Sequence, residues 1–195
     1  MKRVEFFYDY ASTYSYLAHR EIERIAHEAG AEVVYRPMVL GFVFKATGNT
    51  MPAAVPAKAA YMTHDVARWA RHYGLPFHMP SVFPVNTIRA LRGAIVALED
   101  GCFLPYHHAV MAAYWAQNQD IGDPATLADV VRGAGLDAER LLARTDDPAV
   151  KETLKRTTDE AVARGVFGAP TFFVGSEMFW GNDRLQFVAE ALAVA

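Results

Sequence analysis

Apolar and polar positions change period several times along the chain. Val4-Glu5-Phe6-Phe7-Tyr8 is dense in β-formers and reads as a buried strand. Asp9-Tyr10-Ala11-Ser12-Thr13 breaks that run with cap-type residues, and from Tyr14 to about Ala29 the period is helical, with Leu17, Ile22 and Ile25 facing a core. Gly30 is a helix stop. Ala31-Glu32-Val33-Val34-Tyr35-Arg36-Pro37 reads as a second strand closed by its proline. A strand–helix–strand opening this short predicts a parallel pair joined by a right-handed crossover.

The pattern then becomes irregular from Met38 to about Thr63, punctuated by Gly41, Gly48, Pro52 and Pro56. A loop of that length inside a domain is usually functional or part of an insertion. Helical periods follow over 61–73, 87–98 and 106–116, then over a short stretch from Asp123-Pro124 to Gly133, and over 137–143. Asp146-Asp147-Pro148 opens a longer helix to Arg164, with Pro148 in its first turn. The corner Gly165-Val166-Phe167-Gly168-Ala169-Pro170 leads into a strand over 171–174. Gly175-Ser176 is a two-residue hairpin turn, 177–180 the returning strand, and Gly181-Asn182-Asp183 the start of a last helix over 184–193.

This order predicts an α/β protein: a thioredoxin-like fold with an inserted all-helical domain. Residues 1–45 and 149–195 are expected to form the thioredoxin-like domain, and 46–148 the inserted helical domain.

Composition narrows the function classes. The chain has 195 residues, 52% of them apolar and 21% charged, which suits a globular protein with a sizeable core. A net charge of −3 gives no basic footprint for nucleic acid. No apolar run is long enough to span a membrane, and the N-terminus lacks the apolar segment of a signal peptide. The single Cys102 excludes an internal disulfide or a CxxC pair. A cytoplasmic location is expected on these grounds. The seven histidines show no metal-ligand spacing, so no metal is expected.

The candidate chemistry sits at breaks between elements. Ser12 stands where the first strand meets the first helix, whose free N–H groups carry partial positive charge. A hydroxyl there either caps the helix or donates to a bound thiolate and lowers its pKa. Asn182 and Asp183 precede the last helix, where they either cap it or hold a ligand's charged ends. Lys45, Asn49 and Lys58 lie in the irregular segment, as solvated side chains or as partners of an anionic substrate. Pro170 has no N–H, and a cis Ala169–Pro170 bond would present the backbone of Ala169 to an extended peptide.

These stretches, taken together, carry a resemblance. Phe7-Tyr8-Asp9-Tyr10-Ala11-Ser12-Thr13-Tyr14-Ser15-Tyr16-Leu17 resembles the N-terminal motif of the kappa-class glutathione transferases and of their bacterial relatives, the 2-hydroxychromene-2-carboxylate isomerases, in the disulfide-oxidoreductase-A-like group of the thioredoxin superfamily. That family follows the Ser with Pro; here Thr13 follows Ser12 and the hydroxyl is kept. Val166-Phe167-Gly168-Ala169-Pro170-Thr171 and Trp180-Gly181-Asn182-Asp183-Arg184-Leu185 are similar to the family's cis-proline and glutathione-carboxylate motifs, and Lys45-Ala46-Thr47-Gly48-Asn49 to its active-site loop.

The resemblance implies glutathione as a bound cofactor, with Ser12 holding its sulfur where a redox thioredoxin has Cys. It implies that Ala169, before Pro170, pairs with the cysteinyl part, and that Trp180, Gly181, Asn182 and Asp183 surround the γ-glutamyl end. Lys45, Asn49 and Phe83 would line the substrate side. The implied reaction is cis–trans isomerisation of 2-hydroxychromene-2-carboxylate to trans-o-hydroxybenzylidenepyruvate by thiolate addition, bond rotation and elimination. A homodimer acting on a small aromatic molecule is the expected assembly. Two other readings stand beside it: a kappa-type transferase or peroxidase acting on another electrophile, and a non-catalytic thioredoxin-fold binding protein. Redox chemistry at Cys102 is disfavoured, because this residue lies in the helical block, far from any helix-start position comparable to that of Ser12.

Overall fold

The computed structural model describes residues 1–195. Strand β1 (Arg3–Tyr8) leads through a tight turn into helix α1 (Thr13–Ala29), which stops at Gly30 in the left-handed region, φ 63°. Strand β2 (Glu32–Pro37) returns parallel to β1, with Val4 opposite Val33 and Phe6 opposite Tyr35. The predicted strand–helix–strand opening is therefore present. Hairpin β3 (Thr171–Val174) and β4 (Glu177–Trp180) adds two antiparallel strands, giving the order β2-β1-β3-β4. The first strand lies at the sheet's centre beside strands from both ends of the chain, and long helical sequence separates the two halves of the sheet.

Period-two alternation explains how the central strands bury both faces. Phe6 and Phe172 stack at 5.0 Å on one face, within the main core that also holds Leu17, Ile22, Val188 and Leu192. Phe7 and Phe173 point to the other face, into a smaller cluster with Met38, Val43, Ala161 and Val166. Arg164 lies over the Phe173 ring at 3.8 Å and pairs with Glu5 at 2.9 Å, so a cation closes the polar margin of that second layer.

Between β2 and β3 run α2 (Leu40–Thr47), α3 (Pro56–His72), α4 (Ile88–Glu99), α5 (Phe103–Trp115), α6 (Pro124–Gly133), α7 (Ala138–Ala143) and α8 (Pro148–Ala163). Helix α9 (Leu185–Val194) ends the chain. Close approach of α4 and α5 requires a glycine: a side chain at Gly93 would overlap the Tyr106 ring, whose hydroxyl donates to the Ala90 carbonyl at 2.8 Å.

Two parts of the sequence reading need correction here. The segment from Met38 to Thr63 is not a long loop, since it contains α2, a 3-10 turn at Pro52–Ala54 and the first half of α3. Pro56 stands in the first turn of α3, where its missing N–H costs nothing. Helix α5 likewise begins at Phe103, ahead of the expected Tyr106.

Candidate functional site

Ser12 closes the turn between β1 and α1 with an extended backbone, φ −87° and ψ 111°. Its Oγ accepts from the Ser15 N–H at 3.1 Å and donates to the Ala169 carbonyl at 3.0 Å. One hydroxyl thus caps the helix with its lone pair and reaches across the fold with its only proton. Ser12 is buried, and the first turn of α1 carries no acidic residue to offset the positive helix end.

Asp9, three residues earlier, holds this turn in place. Its carboxylate accepts from the Ala11 N–H at 3.0 Å, the Leu40 N–H at 2.8 Å and the Thr87 hydroxyl at 2.7 Å. One side chain thereby joins the Ser12 turn to the start of α2 and to the residue preceding α4. Burial pushes the Asp9 carboxyl up from its ordinary value, and these three hydrogen bonds pull it back only in part. Sequence reading passed over Asp9 because two of its donors come from distant segments.

The corner before β3 completes the arrangement. The Ala169–Pro170 peptide is cis, as is Phe83–Pro84. The Ala169 carbonyl accepts from Ser12, and the Ala169 N–H makes no backbone hydrogen bond. The Asn49 amide donates to the Phe167 carbonyl at 2.7 Å, tying the segment after α2 to the corner. Gly181 N–H donates to the Pro170 carbonyl at 3.0 Å, and Thr171 Oγ1 to the Gly168 carbonyl at 2.8 Å. Trp180 lies over the corner, its ring 4.9 Å from that of Phe167, and a Cβ at Gly168 would come within 2.6 Å of its Nε1. Trp180 is 48% exposed, so part of its surface is open to a ligand.

At Gly181, φ is 100°, a conformation that favours glycine, and a Cβ there would meet the Asp183 carboxylate at 2.5 Å. Asn182, Asp183 and Arg184 form a 3-10 turn before α9. The capping role considered for Asn182 and Asp183 is not fulfilled, since neither the turn nor α9 has a side-chain cap. Asn182 is buried, its carbonyl accepts from the Tyr73 hydroxyl at 3.2 Å, and its Nδ2 has no partner. An orphaned buried donor is costly, and a ligand carboxylate would satisfy it. Asp183 is exposed and meets Arg184 at 2.7 Å.

A cleft of about 740 Å³ opens beside Asn182 and Asp183, with Trp69 of α3, Tyr73 just past its end, and Glu21 and Arg24 of α1 also in its wall. Ser12 and Ala169 do not line it. The cleft and the hydrogen-bonded corner are joined through the chain, where Gly181, bonded to Pro170, precedes Asn182 and Asp183.

Tyr14, two residues after Ser12, brings in a carboxylate that sequence reading missed. Its hydroxyl donates to Asp65 Oδ2 at 3.4 Å, and the Tyr61 hydroxyl donates to Asp65 Oδ1 at 3.3 Å. Burial, then Asp65, with smaller contributions from Tyr61 and Asp183, pushes the Tyr14 hydroxyl up to about 12. Two carboxylates thus act on one phenol beside the start of α1.

The remaining predicted residues lie further out. Lys45 is exposed in the last turn of α2. Phe83 is half-buried and packs 6.1 Å from Trp115, whose indole N–H donates to the Tyr10 carbonyl at 2.8 Å. It supports the Ser12 turn from behind. The Cys102 thiol is pushed up by burial and by Asp100, which leaves it a poor nucleophile.

The DSBA-like thioredoxin domain family matches residues 3–193. The chain is 32% identical to a 2-hydroxychromene-2-carboxylate isomerase from Sphingobium xenophagum, covering 98% of both chains. It is 28% identical to human glutathione S-transferase kappa 1, over 98% of this chain and 91% of that one. A solved 2-hydroxychromene-2-carboxylate isomerase superposes with a TM-score of 0.89 at 30% identity, covering 98% of this chain and 95% of that one. No helix is long and apolar enough to cross a membrane.

Proposed function

The chain belongs to the DSBA-like thioredoxin domain family, among the 2-hydroxychromene-2-carboxylate isomerases and kappa-class glutathione transferases, and on that premise we propose that it is a glutathione-dependent cis–trans isomerase of 2-hydroxychromene-2-carboxylate. The observation that carries this reading is the Ser12 hydroxyl at the start of α1, hydrogen-bonded to Ala169 beside Pro170. The residues present suit a tripeptide thiol. A free N–H at Ala169, an orphaned amide at Asn182 and an exposed carboxylate at Asp183 are the donor and acceptor types that its backbone, carboxylate and ammonium require.

When bound, glutathione supplies a thiolate nucleophile that adds to the conjugated system and leaves after bond rotation, so no net oxidation occurs. In this reading the Ser12 hydroxyl turns its proton from the Ala169 carbonyl to the sulfur, assisted by the positive end of α1. Ala169 pairs its backbone with the cysteinyl part. Asn182 holds the γ-glutamyl carboxylate, and Asp183 with Asp65 holds the ammonium. Trp180 and Gly181 shape this end, and the Trp180 face excludes water from the sulfur. Lys45 offers charge to the substrate carboxylate. Asn49 works through the corner it ties down, and Phe83 through Trp115.

A kappa-type transferase acting on another electrophile would use the same corner, and the similarity to human glutathione S-transferase kappa 1 favours it as the second reading. Absorbance of 2-hydroxychromene-2-carboxylate with purified protein, with and without glutathione, separates the two. Glutathione-dependent equilibration with the trans product supports the isomerase. Glutathione binding without turnover of this substrate moves the assignment to the transferase.

A further inference from the structure

A second cavity, of about 240 Å³, lies beside the first turns of α4 and is walled by Asn86, Ile88, Arg89, Arg92, Thr145 and Asp146, with Gly122 at its edge. Arg89 and Arg92 are three apart on one helix, so their guanidinium groups share a face. Both side chains are half-buried, and the Nε of each is buried without a hydrogen-bond partner.

The pairing of the other half-buried arginines makes this cavity unusual in the molecule. Arg36, whose Nε also lacks a hydrogen-bond partner, nonetheless meets Glu5 and Glu160, Arg144 meets Glu99 and Asp100, and Arg164 meets Glu5 and Glu160. Arg92 has only a long contact to Asp146, at 3.9 Å, and that same carboxylate oxygen is nearer to Lys151, at 3.3 Å. Arg89 has no carboxylate within ion-pair distance. Asp146 is the single acidic side chain in the wall, and it is 72% exposed. The cavity therefore carries net positive charge, and the start of α4 adds partial positive charge to it. A desolvated guanidinium donor without an acceptor is costly, and two planar forks on one face fit the oxygens of a small oxyanion.

We propose that this cavity binds a phosphoryl group, as inorganic phosphate or as the head of a small phosphomonoester. The side chains of Arg89 and Arg92 grip its oxygens, Asp146 turns outward to Lys151, and Asn86, whose side-chain Oδ1 accepts from the Ile88 N–H at 3.1 Å, fixes the rim. This site is separate from the Ser12 corner and does not rest on the reaction assigned there.

The test is isothermal titration of inorganic phosphate into the full chain at constant ionic strength, with chloride as the balancing anion. One saturable site per chain is expected. Arg89→Gln and Arg92→Gln should each weaken it by about ten-fold or more, and Ser12→Ala should leave it unchanged. Circular dichroism checks that the arginine variants fold. Should Arg89→Gln not fold, Arg89→Lys serves, because it keeps the charge but loses the fork and should still bind more weakly. No saturable binding by the wild type, equal binding by folded arginine variants, or loss of binding in Ser12→Ala overturns the proposal.

Discussion

The Ser12 hydroxyl donates to the Ala169 carbonyl at 3.0 Å, joining positions 157 residues apart in the chain. The same oxygen accepts from the Ser15 N–H, so it is the hydroxyl's single proton that a bound thiolate would have to recruit. In the proposed reaction, a bound thiolate would compete with the Ala169 carbonyl for that proton. A hydrogen bond to a charged acceptor outweighs one to a neutral carbonyl, about 1.5–3 kcal/mol against about 1.

Ser12→Ala should therefore lose most glutathione-dependent turnover, about 100-fold or more, while the fold survives. Loss of the cap should lower stability by about 1 kcal/mol. Steady-state rates and urea unfolding of the same variant check both parts. Near wild-type turnover would remove Ser12 from its assigned role.

Asp9→Ala should be the more damaging change to the fold. It leaves the Ala11 and Leu40 N–H groups and the Thr87 hydroxyl without their acceptor. At about 1–3 kcal/mol for each unsatisfied group, partly relieved by entering water, a loss of about 3 kcal/mol or more in unfolding free energy is expected from urea denaturation. Thr87→Val removes one of the three bonds and should cost about 1 kcal/mol. Similar small losses in both variants would show that Asp9 is not the joint between the Ser12 turn, α2 and α4.

Gly168→Ala tests the corner from its other side. The added methyl meets the half-exposed Trp180 ring, which has room to swing outward. Glutathione affinity should fall by about ten-fold with little loss of stability, and the tryptophan emission should shift to the red as the indole enters water. Unchanged emission and affinity would show that Trp180 does not cover the bound ligand.

Much of the fold was legible because period and punctuation agreed. The run 4–8, the Gly30 stop and the Gly175-Ser176 turn each correspond to an observed boundary in the β1–α1–β2 unit or the β3–β4 hairpin. Helix α2 was not legible: Val39 offers no side-chain cap, and Gly41 and Val43 weaken the local preference, so the helix depends on tertiary packing and on Asp9 holding its first N–H. At the site, the predicted Ser12, Ala169 and Pro170 come together, with Asn49 and Trp180 at the same corner. Asp65 and Asp9 were invisible because their meaning comes from partners on other elements, not from neighbours in sequence. Spacing along the chain also hides a cluster that only the fold assembles: the rings of His19, His107 and His108 lie within 6 Å of one another.

That histidine cluster predicts an acid-labile junction between α1, α5 and the sheet. Burial depresses His19 to about 4, opposed by its contact with the Tyr16 carbonyl and by Glu23, with His108 and Arg20 adding to the depression. Burial also holds His107 well below its ordinary value, and His19, His108 and Arg20 depress it further. Its Nδ1 meets the Tyr10 hydroxyl at 3.2 Å, and its ring packs on Tyr8, Tyr35 and Phe103. The unfolded chain protonates these residues near pH 6.5, well above the folded protein, so their contribution is complete above that pH and is lost as pH falls towards about 4. Asp9 acts with the opposite slope, because its raised carboxyl favours the folded state at low pH, and that gain is lost as pH rises from the ordinary carboxylate range through the raised value. Comparing His19→Gln with the wild type isolates one histidine from the rest. Between about pH 7.5 and about pH 5 the wild type should lose about 2 kcal/mol more than the variant in urea unfolding. Parallel losses in the two proteins would mean that His19 enters the unfolded state with its protonation unchanged, and the junction would owe its acid sensitivity to His107 alone.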